Sequence, residues 1–167
     1  MRRISSKLLD SASSASMNVD GSVTPVEFTF TGREGATRLI TEVVLTLHST
    51  AMDLSSAAEM RIFGSVGSTL SNGLRLFVNQ SGLPVAELDL WTSPVVRMVD
   101  FYRYGDVSGH VDSIAAGTDQ LVVTFSWPVE APLTLRRGTD DYLSLKVSDN
   151  LTSLGLFEGN VYGWATS

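Results

Sequence analysis

The stretch that decides the fold is LSNGLRLFVNQSGLPVAELDLW, residues 70–91. Two runs within it alternate apolar and polar residues with a period of two, which is the pattern of a strand with one buried face. The apolar positions are Leu74, Leu76 and Val78 in the first run and Ala86, Leu88 and Leu90 in the second. Between the runs lies QSG at 80–82, whose glycine can take the positive φ that a short hairpin loop requires. The stretch therefore predicts a β-hairpin.

Similar runs predict further strands on both sides of the hairpin. They lie at 24–31, 39–48, 120–127, 142–148 and 156–166, with a short run at 132–135. Gly159 and Gly163 predict a bulge or a close backbone approach in the last strand. The segment 95–107 fits either a strand or a helical face, and a short strand or an irregular segment is favoured. The segment 105–117 carries turn residues and is interpreted as a connection. About eight strands at this spacing predict an all-β domain, a jelly-roll-like two-sheet β-sandwich.

Two segments depart from the strand pattern. Ser56 followed by Glu59 fits a capping box, so we expect one short helix within 52–63 that Gly64 ends. Residues 1–22 precede the first predicted strand and are interpreted as an extended N-terminal arm on a sandwich domain of residues 23–167. The arm carries three basic side chains that can dock on an acidic neighbouring subunit: Arg2, Arg3 and Lys7. A frayed terminus is the alternative.

The composition favours a protein partner. Charged residues make up 18% of the 167 residues and hydrophobic residues 43%, which indicates an oligomer interface or a wall within a larger assembly. An ordinary β protein with Ser/Thr-rich faces is the alternative. The net charge of −6 argues against nucleic-acid binding, which requires a basic surface. No run approaches the ~20 apolar residues of a membrane span, and no signal peptide is recognisable, so we expect no membrane partner.

The sequence shows no signature of catalysis or metal binding. It has no cysteine, which excludes disulfides and thiolate sites. The run GSVGS at 64–68 matches neither a phosphate-binding loop nor a nucleophile elbow. His48 and His110 lack a third ligand at zinc spacing, and Asp140 and Asp141, interpreted as solvated turn residues, lack the ligand series of a calcium loop. We therefore predict a non-enzymatic protein with no catalytic residue, metal or cofactor.

Two groups of aromatic side chains are candidates for contact with a partner. The first is a cluster of the residue types that dominate interface energetics: Phe101, Tyr102, Arg103 and Tyr104. The second consists of tryptophans at or near predicted strand ends, where an exposed indole can stack on a sugar ring: Trp91, Trp127 and Trp164. For both groups, packing in the core is the alternative.

Three stretches and their order carry a resemblance to a known class of proteins. They are SMNVDGSVTPVEFTF at 16–30, SNGLRLFV at 71–78 and APLTLRRGTDDYLSLKVSDNLTSL at 131–154, followed by the glycine-containing last strand. In this order of elements the chain resembles small structural proteins of tailed-bacteriophage virions.

The resemblance implies a capsid decoration (cement) protein. Such a subunit sits on the virion capsid surface, is assembled in the host cytoplasm, binds the major capsid protein and acts as a homo-oligomer, with a trimer favoured. It implies no cofactor and no catalytic residue. Similar sandwiches also serve in tails, so a tail adaptor or a carbohydrate-binding receptor module is the alternative. In this interpretation the basic arm contacts the shell, and deletion of residues 1–16 is expected to leave the sandwich folded.

Overall fold

The structure is a computed structural model that describes residues 1–32, 35–48, 75–83, 85–89, 106–112, 120–152 and 156–166. These residues form ten strands and no helix: β1 (Arg2–Lys7), β2 (Val26–Thr31), β3 (Thr37–His48), β4 (Arg75–Asn79), β5 (Ala86–Asp89), β6 (Asp106–Asp112), β7 (Gln120–Ser126), β8 (Leu133–Leu135), β9 (Tyr142–Val147) and β10 (Leu156–Thr166). The short helix predicted within 52–63 lies outside the described residues. So do residues 95–105 of the ambiguous segment 95–107.

All strand pairs are antiparallel, and the strands form two sheets. The large sheet has the order β1-β10-β3-β7-β6, with β8 paired to the first half of β3. The small sheet has the order β2-β9-β4-β5. Strands that follow one another in the sequence therefore often belong to different sheets. The two sheets enclose one hydrophobic core.

The strand order is that of a long hairpin rolled into a barrel-like sandwich. With β6 and β8 set aside, the first strand pairs with the last (β1 with β10), the second with the second last (β2 with β9), and so on inward (β3 with β7, β4 with β5). Rolling this hairpin adds the pairs β10 with β3 and β9 with β4. This arrangement is a jelly roll, and it confirms the predicted all-β, jelly-roll-like two-sheet sandwich.

The hairpin predicted within 70–91 is the pair β4 and β5. Leu76 and Val78 are fully buried, as the period of two requires. Gly82 has a φ of +84°, which confirms the glycine-dependent loop. Because β4 also pairs with β9, the hairpin closes the small sheet at one edge and supplies part of its core face.

Glycines let the last strand approach its neighbours closely. The register between β10 and β3 shifts between Tyr162 and Gly163, which confirms the predicted bulge. A Cβ at Gly163 would collide with the carbonyl oxygen of Leu39. At Gly159, a Cβ would lie 2.7 Å from Leu8 Cδ1, so the absence of a side chain makes room for a residue from the N-terminal segment.

The N-terminal segment belongs to the sandwich, which corrects the predicted division into an arm of residues 1–22 and a separate domain. Strand β1 pairs along its whole length with β10. Leu8 and Met17 are fully buried in the core, and Leu8 N donates a hydrogen bond to the carbonyl of Gly159 (3.0 Å). The burial of these two side chains is a tertiary property that the Ser- and Ala-rich composition of the segment does not reveal.

The interpretation of residues 105–117 as a connection is also corrected. Asp106–Asp112 forms β6, which pairs with the whole of β7. Strand β7 has a strong strand sequence and presents a row of backbone donors and acceptors. Pairing with that row stabilises β6 although its own composition favours turns. The tendency to form a strand depends more on the neighbouring strands than on the residues of the strand itself.

Candidate interaction surface

The three basic residues predicted to act together lie on two different faces of β1. Residues that pair directly across a sheet share a face. Arg3 pairs with Trp164 and Lys7 with Asn160, whereas Arg2 pairs with Ala165. Successive side chains alternate between faces. Arg3 and Lys7 therefore lie on the outer face of the large sheet, and Arg2 lies on the side that faces the small sheet.

The faces of the large sheet are identified by the burial pattern of β10. From Phe157 to Trp164 its residues alternate: Phe157, Gly159, Val161 and Gly163 are buried, whereas Glu158, Asn160, Tyr162 and Trp164 are partly exposed. The second set belongs to the outer face.

On that outer face, aromatic and basic side chains lie side by side. Trp164 is flanked by Arg3 on β1 and by Leu39 on β3. Tyr162 lies two residues away on the same face of β10. Arg3 is exposed, and the other three are partly exposed. We call these four residues the aromatic patch; its tryptophan, tyrosine and arginine are the side-chain types that carry most binding energy at protein interfaces.

An ion pair borders the aromatic patch. Lys7 Nζ donates to Glu158 Oε2 at 2.7 Å. The hydrogen bond from Lys7 lowers the pKa of Glu158 and outweighs the effect of partial burial, with the Lys7 charge and Asn160 adding to the lowering. Because its charge is matched locally, Lys7 contributes less to attraction of an acidic partner than the sequence suggested.

A buried carboxylate organises the loops at one end of the sandwich. Asp141 is fully buried, which corrects its interpretation as a solvated turn residue. Its Oδ1 accepts hydrogen bonds from Ser81 N (2.7 Å) and Arg136 Nη2 (3.1 Å), and its Oδ2 accepts from Arg136 N and Arg136 Nε (both 2.9 Å). Arg136 Nη2 also donates to the carbonyl of Ser81 (2.7 Å).

These bonds fix the charge of Asp141. Burial raises its pKa, but the donors on Arg136, Ser81 and Thr139 together outweigh burial and hold the pKa of this carboxyl well below its ordinary value. A carboxylate whose two oxygens are engaged by four donors is a structural anchor and a poor proton acceptor. It joins the loop of the β4–β5 hairpin to the turn between β8 and β9.

The tryptophans predicted as sugar platforms lie in different environments. Trp127 is 4% exposed and belongs to the core, whereas Trp164 is partly exposed in the aromatic patch. Trp91 lies outside the described residues, as does the predicted contact cluster Phe101, Tyr102, Arg103 and Tyr104. The aromatic patch was missed at the sequence level because it depends on which strands flank β10.

Within the described ranges, no group of three or more His, Asp or Glu side chains is placed to hold a metal ion. No helix among these residues is long and apolar enough to cross a membrane. Comparisons of the chain with protein families, with curated proteins and with solved structures found no match.

Proposed function

We propose that this chain is a non-enzymatic structural subunit of a bacteriophage virion, a decoration (cement) protein that binds the major capsid protein on the outer shell and stabilises contacts between capsomers. The observation that carries the proposal is the jelly-roll strand order, because this architecture recurs in viral capsid proteins. A fold by itself does not determine function, so the proposal also needs a surface that can dock.

The aromatic patch is that surface in the proposal. Trp164, Tyr162 and Leu39 offer apolar area that is already partly desolvated, and Arg3 adds a charged group with bidentate hydrogen-bonding geometry. A decoration protein needs only a modest contact per copy. When three copies associate, their contacts with the shell act together, and the overall affinity exceeds that of one contact.

The experiment is co-sedimentation of the purified protein with shells that lack it. We expect stoichiometric binding by the wild type. We expect Trp164→Ala and Arg3→Ala to weaken binding by about 10-fold or more, the usual effect of truncating a central interface residue. Lys146→Ala is the matched control, because Lys146 is a partly exposed residue of the small sheet. Equal binding by the wild type and the three variants would show that the aromatic patch is not the docking surface. Absence of binding by the wild type would contradict the proposed function.

A carbohydrate-binding module of a phage tail is the second candidate. It is favoured by the partial exposure of Trp164 beside Tyr162 on an open sheet face, and by the recurrence of the jelly roll in lectins. Titration with host-surface oligosaccharides would then quench tryptophan fluorescence in the wild type and leave Trp164→Phe unchanged. Buried Trp127 would contribute the same background signal in both proteins.

A further inference from the structure

Strand β1 forms one edge of the large sheet. Among the described residues, Arg2–Lys7 pairs with β10 on one side and with no strand on the other. The backbone N–H and C=O groups along such an edge form a template for pairing with another chain. Three of the exposed side chains of β1 are basic, so the edge repels basic segments and attracts acidic ones.

The direction of the backbone groups shows which residues of this edge are open. In an antiparallel strand the N–H and C=O groups of one residue point to the same side, and those of the next residue point to the opposite side. Leu8 N donates to the carbonyl of Gly159 on β10 (3.0 Å), whereas Leu9 N donates to the carbonyl of Thr29 on β2 (3.2 Å). Every second residue before Leu9 therefore also directs its backbone groups away from β10: Lys7, Ser5 and Arg3.

The edges of the two sheets meet at one point. Leu9 and Thr29 form an isolated antiparallel bridge between the segment after β1 and strand β2. Within the described ranges, β1 itself makes no backbone pair with β2. A pocket of about 340 Å³ lies between the sheets beside β1, and its lining includes Ile4 and Ser6 of β1 and Phe30 of β2. A strand added along β1 would find backbone partners at the edge and space for the side chains that it directs between the sheets.

The side chains along the edge select the charge of the added strand. Residues directly opposite one another in a strand pair share a face, and opposite charges at such positions attract. Arg3 is exposed and has no ion-pair partner within the described part of the chain, whereas Lys7 already binds Glu158 at 2.7 Å. An acidic residue opposite Arg3 is therefore the strongest single preference of this edge.

A second copy of β1 is a poor occupant for the same reason. In the antiparallel register that pairs all the open residues of two β1 strands, Arg3 of each copy lies opposite Lys7 of the other. Like charges directly opposite one another destabilise a strand pair. The edge therefore favours a segment of a different protein.

We propose that the open edge of β1 binds an extended segment of another protein by strand addition. Acidic side chains of that segment face Arg3 and Lys7 on the outer face of the sheet, and its apolar side chains enter the space beside Ile4 and Phe30. In this mode of recognition the backbone hydrogen bonds supply affinity, and the alternating side chains supply specificity. The inference goes beyond the virion function and does not depend on it, because the edge can bind a peptide whether or not the protein binds a capsid shell.

The test titrates short blocked peptides into the full chain, followed by NMR chemical shifts and calorimetry. One peptide alternates glutamate and valine, and the other alternates lysine and valine. We expect the acidic peptide to bind about 10-fold or more tightly than the basic one and to shift the amide signals of Arg3, Ser5 and Lys7. N-methylation of its glutamates, whose N–H groups face β1 in the proposed pair, should abolish binding. Equal affinity of the acidic and basic peptides, or no binding by the acidic one, would overturn the proposal.

Variants of β1 test the edge itself. Ser5→Pro removes the N–H that points away from β10 and keeps the pairing with β10, because proline is tolerated on that side of an edge strand. It is expected to weaken binding of the acidic peptide by about 10-fold or more. Ser5→Ala keeps the N–H and is the matched control, with the affinity of the wild type. Equal affinities of a folded Ser5→Pro and of Ser5→Ala would refute strand addition.

A charge reversal keeps the proposal testable if Ser5→Pro does not fold. Arg3→Glu changes an exposed side chain and is expected to reverse the preference between the two peptides; an unchanged preference would refute the assignment. Sedimentation of the wild type and Ser5→Pro tests the other occupant. Self-association that only the wild type shows would place a second copy on the edge and would overturn the proposal.

Discussion

Asp141→Asn tests whether one buried carboxylate holds the loops together at one end of the sandwich. The replacement keeps the shape of the side chain but leaves a single acceptor oxygen, and its amide group then faces donors. Whichever way the amide points, one backbone N–H, from Ser81 or Arg136, loses its partner. An unsatisfied buried donor costs about 1–3 kcal/mol, and the remaining bonds lose their charge assistance.

The Arg136 side chain lowers the expected cost, because it is 48% exposed and can turn toward water. Together, the unsatisfied backbone donor and the weakened hydrogen bonds are expected to lower the free energy of unfolding by about 2–4 kcal/mol. For a chain of this size each kcal/mol corresponds to about 2–4 °C in Tm, so the melting temperature should fall by about 4–16 °C. Chemical denaturation and calorimetry measure both quantities.

The pH dependence of the same variant gives an independent check. The folded-state pKa of Asp141 lies below its ordinary value of 3.8. Its contribution to stability is therefore complete above the unfolded pKa and is lost as the pH falls below about 4. The stability difference between wild type and Asp141→Asn should be constant above about pH 5 and should shrink on further acidification. Asp140→Asn, at the exposed neighbour, is the control; an Asp141→Asn shift no larger than that of the control would refute the reasoning.

Other substitutions test the core and the edge of the large sheet. Leu8→Ala should lower the free energy of unfolding by about 2–5 kcal/mol in denaturant unfolding. Leu9→Ala, at a residue that is 39% exposed, should cost far less, and equal costs would contradict the burial of Leu8. Gly159→Ala should destabilise the fold by about 1–3 kcal/mol through overpacking. It should cost less in a Leu8→Ala background, because the added methyl group then enters the space left by the leucine. Strictly additive costs of the two substitutions would argue against the contact between Leu8 and residue 159. Lys7→Ala should raise the pKa of Glu158 toward its ordinary value in a carboxyl NMR titration, and an unchanged pKa would show that the ion pair does not form.

The elements with a strong local signal were predicted from the sequence. The hairpin within 70–91, the bulge in the last strand and the limits of β10 all depend on a period of two and on glycine, which act over a few residues. The two-sheet jelly roll followed from counting such runs. The hairpin and the bulge need no knowledge of which distant strands pair, whereas the jelly-roll order itself is defined by that pairing.

The features that were missed depend on long-range pairing. Strand β1 gains its place through β10, at the other end of the chain, and the burial of Leu8 requires the missing side chain of Gly159. The structure therefore changes one expectation: deletion of residues 1–16 should unfold or severely destabilise the protein. Asp141 looked like a turn residue because the donor on Ser81 comes from 60 positions away.

The candidate interaction residues were also predicted only in part, because their composition is local but their neighbours are set by long-range pairing. The sequence shows Arg2, Arg3 and Lys7 as basic residues near the start of the chain, but their alternation along β1 places Arg3 and Lys7 on the outer face of the large sheet and Arg2 on the side that faces the small sheet. The partners that give each face its chemistry, Trp164 for Arg3 and Ala165 for Arg2, are set by the register of β1 against β10.

The proposed function is tested most directly by the copy number of this chain in phage particles. Quantitative mass spectrometry measures that number on virions purified from the cells that produce the protein. A decoration protein of the shell should be present in hundreds of copies per particle, and antibodies or added density should locate it on the outside of the capsid. About a dozen copies or fewer would place it in the tail, and its absence from the particles would contradict the account.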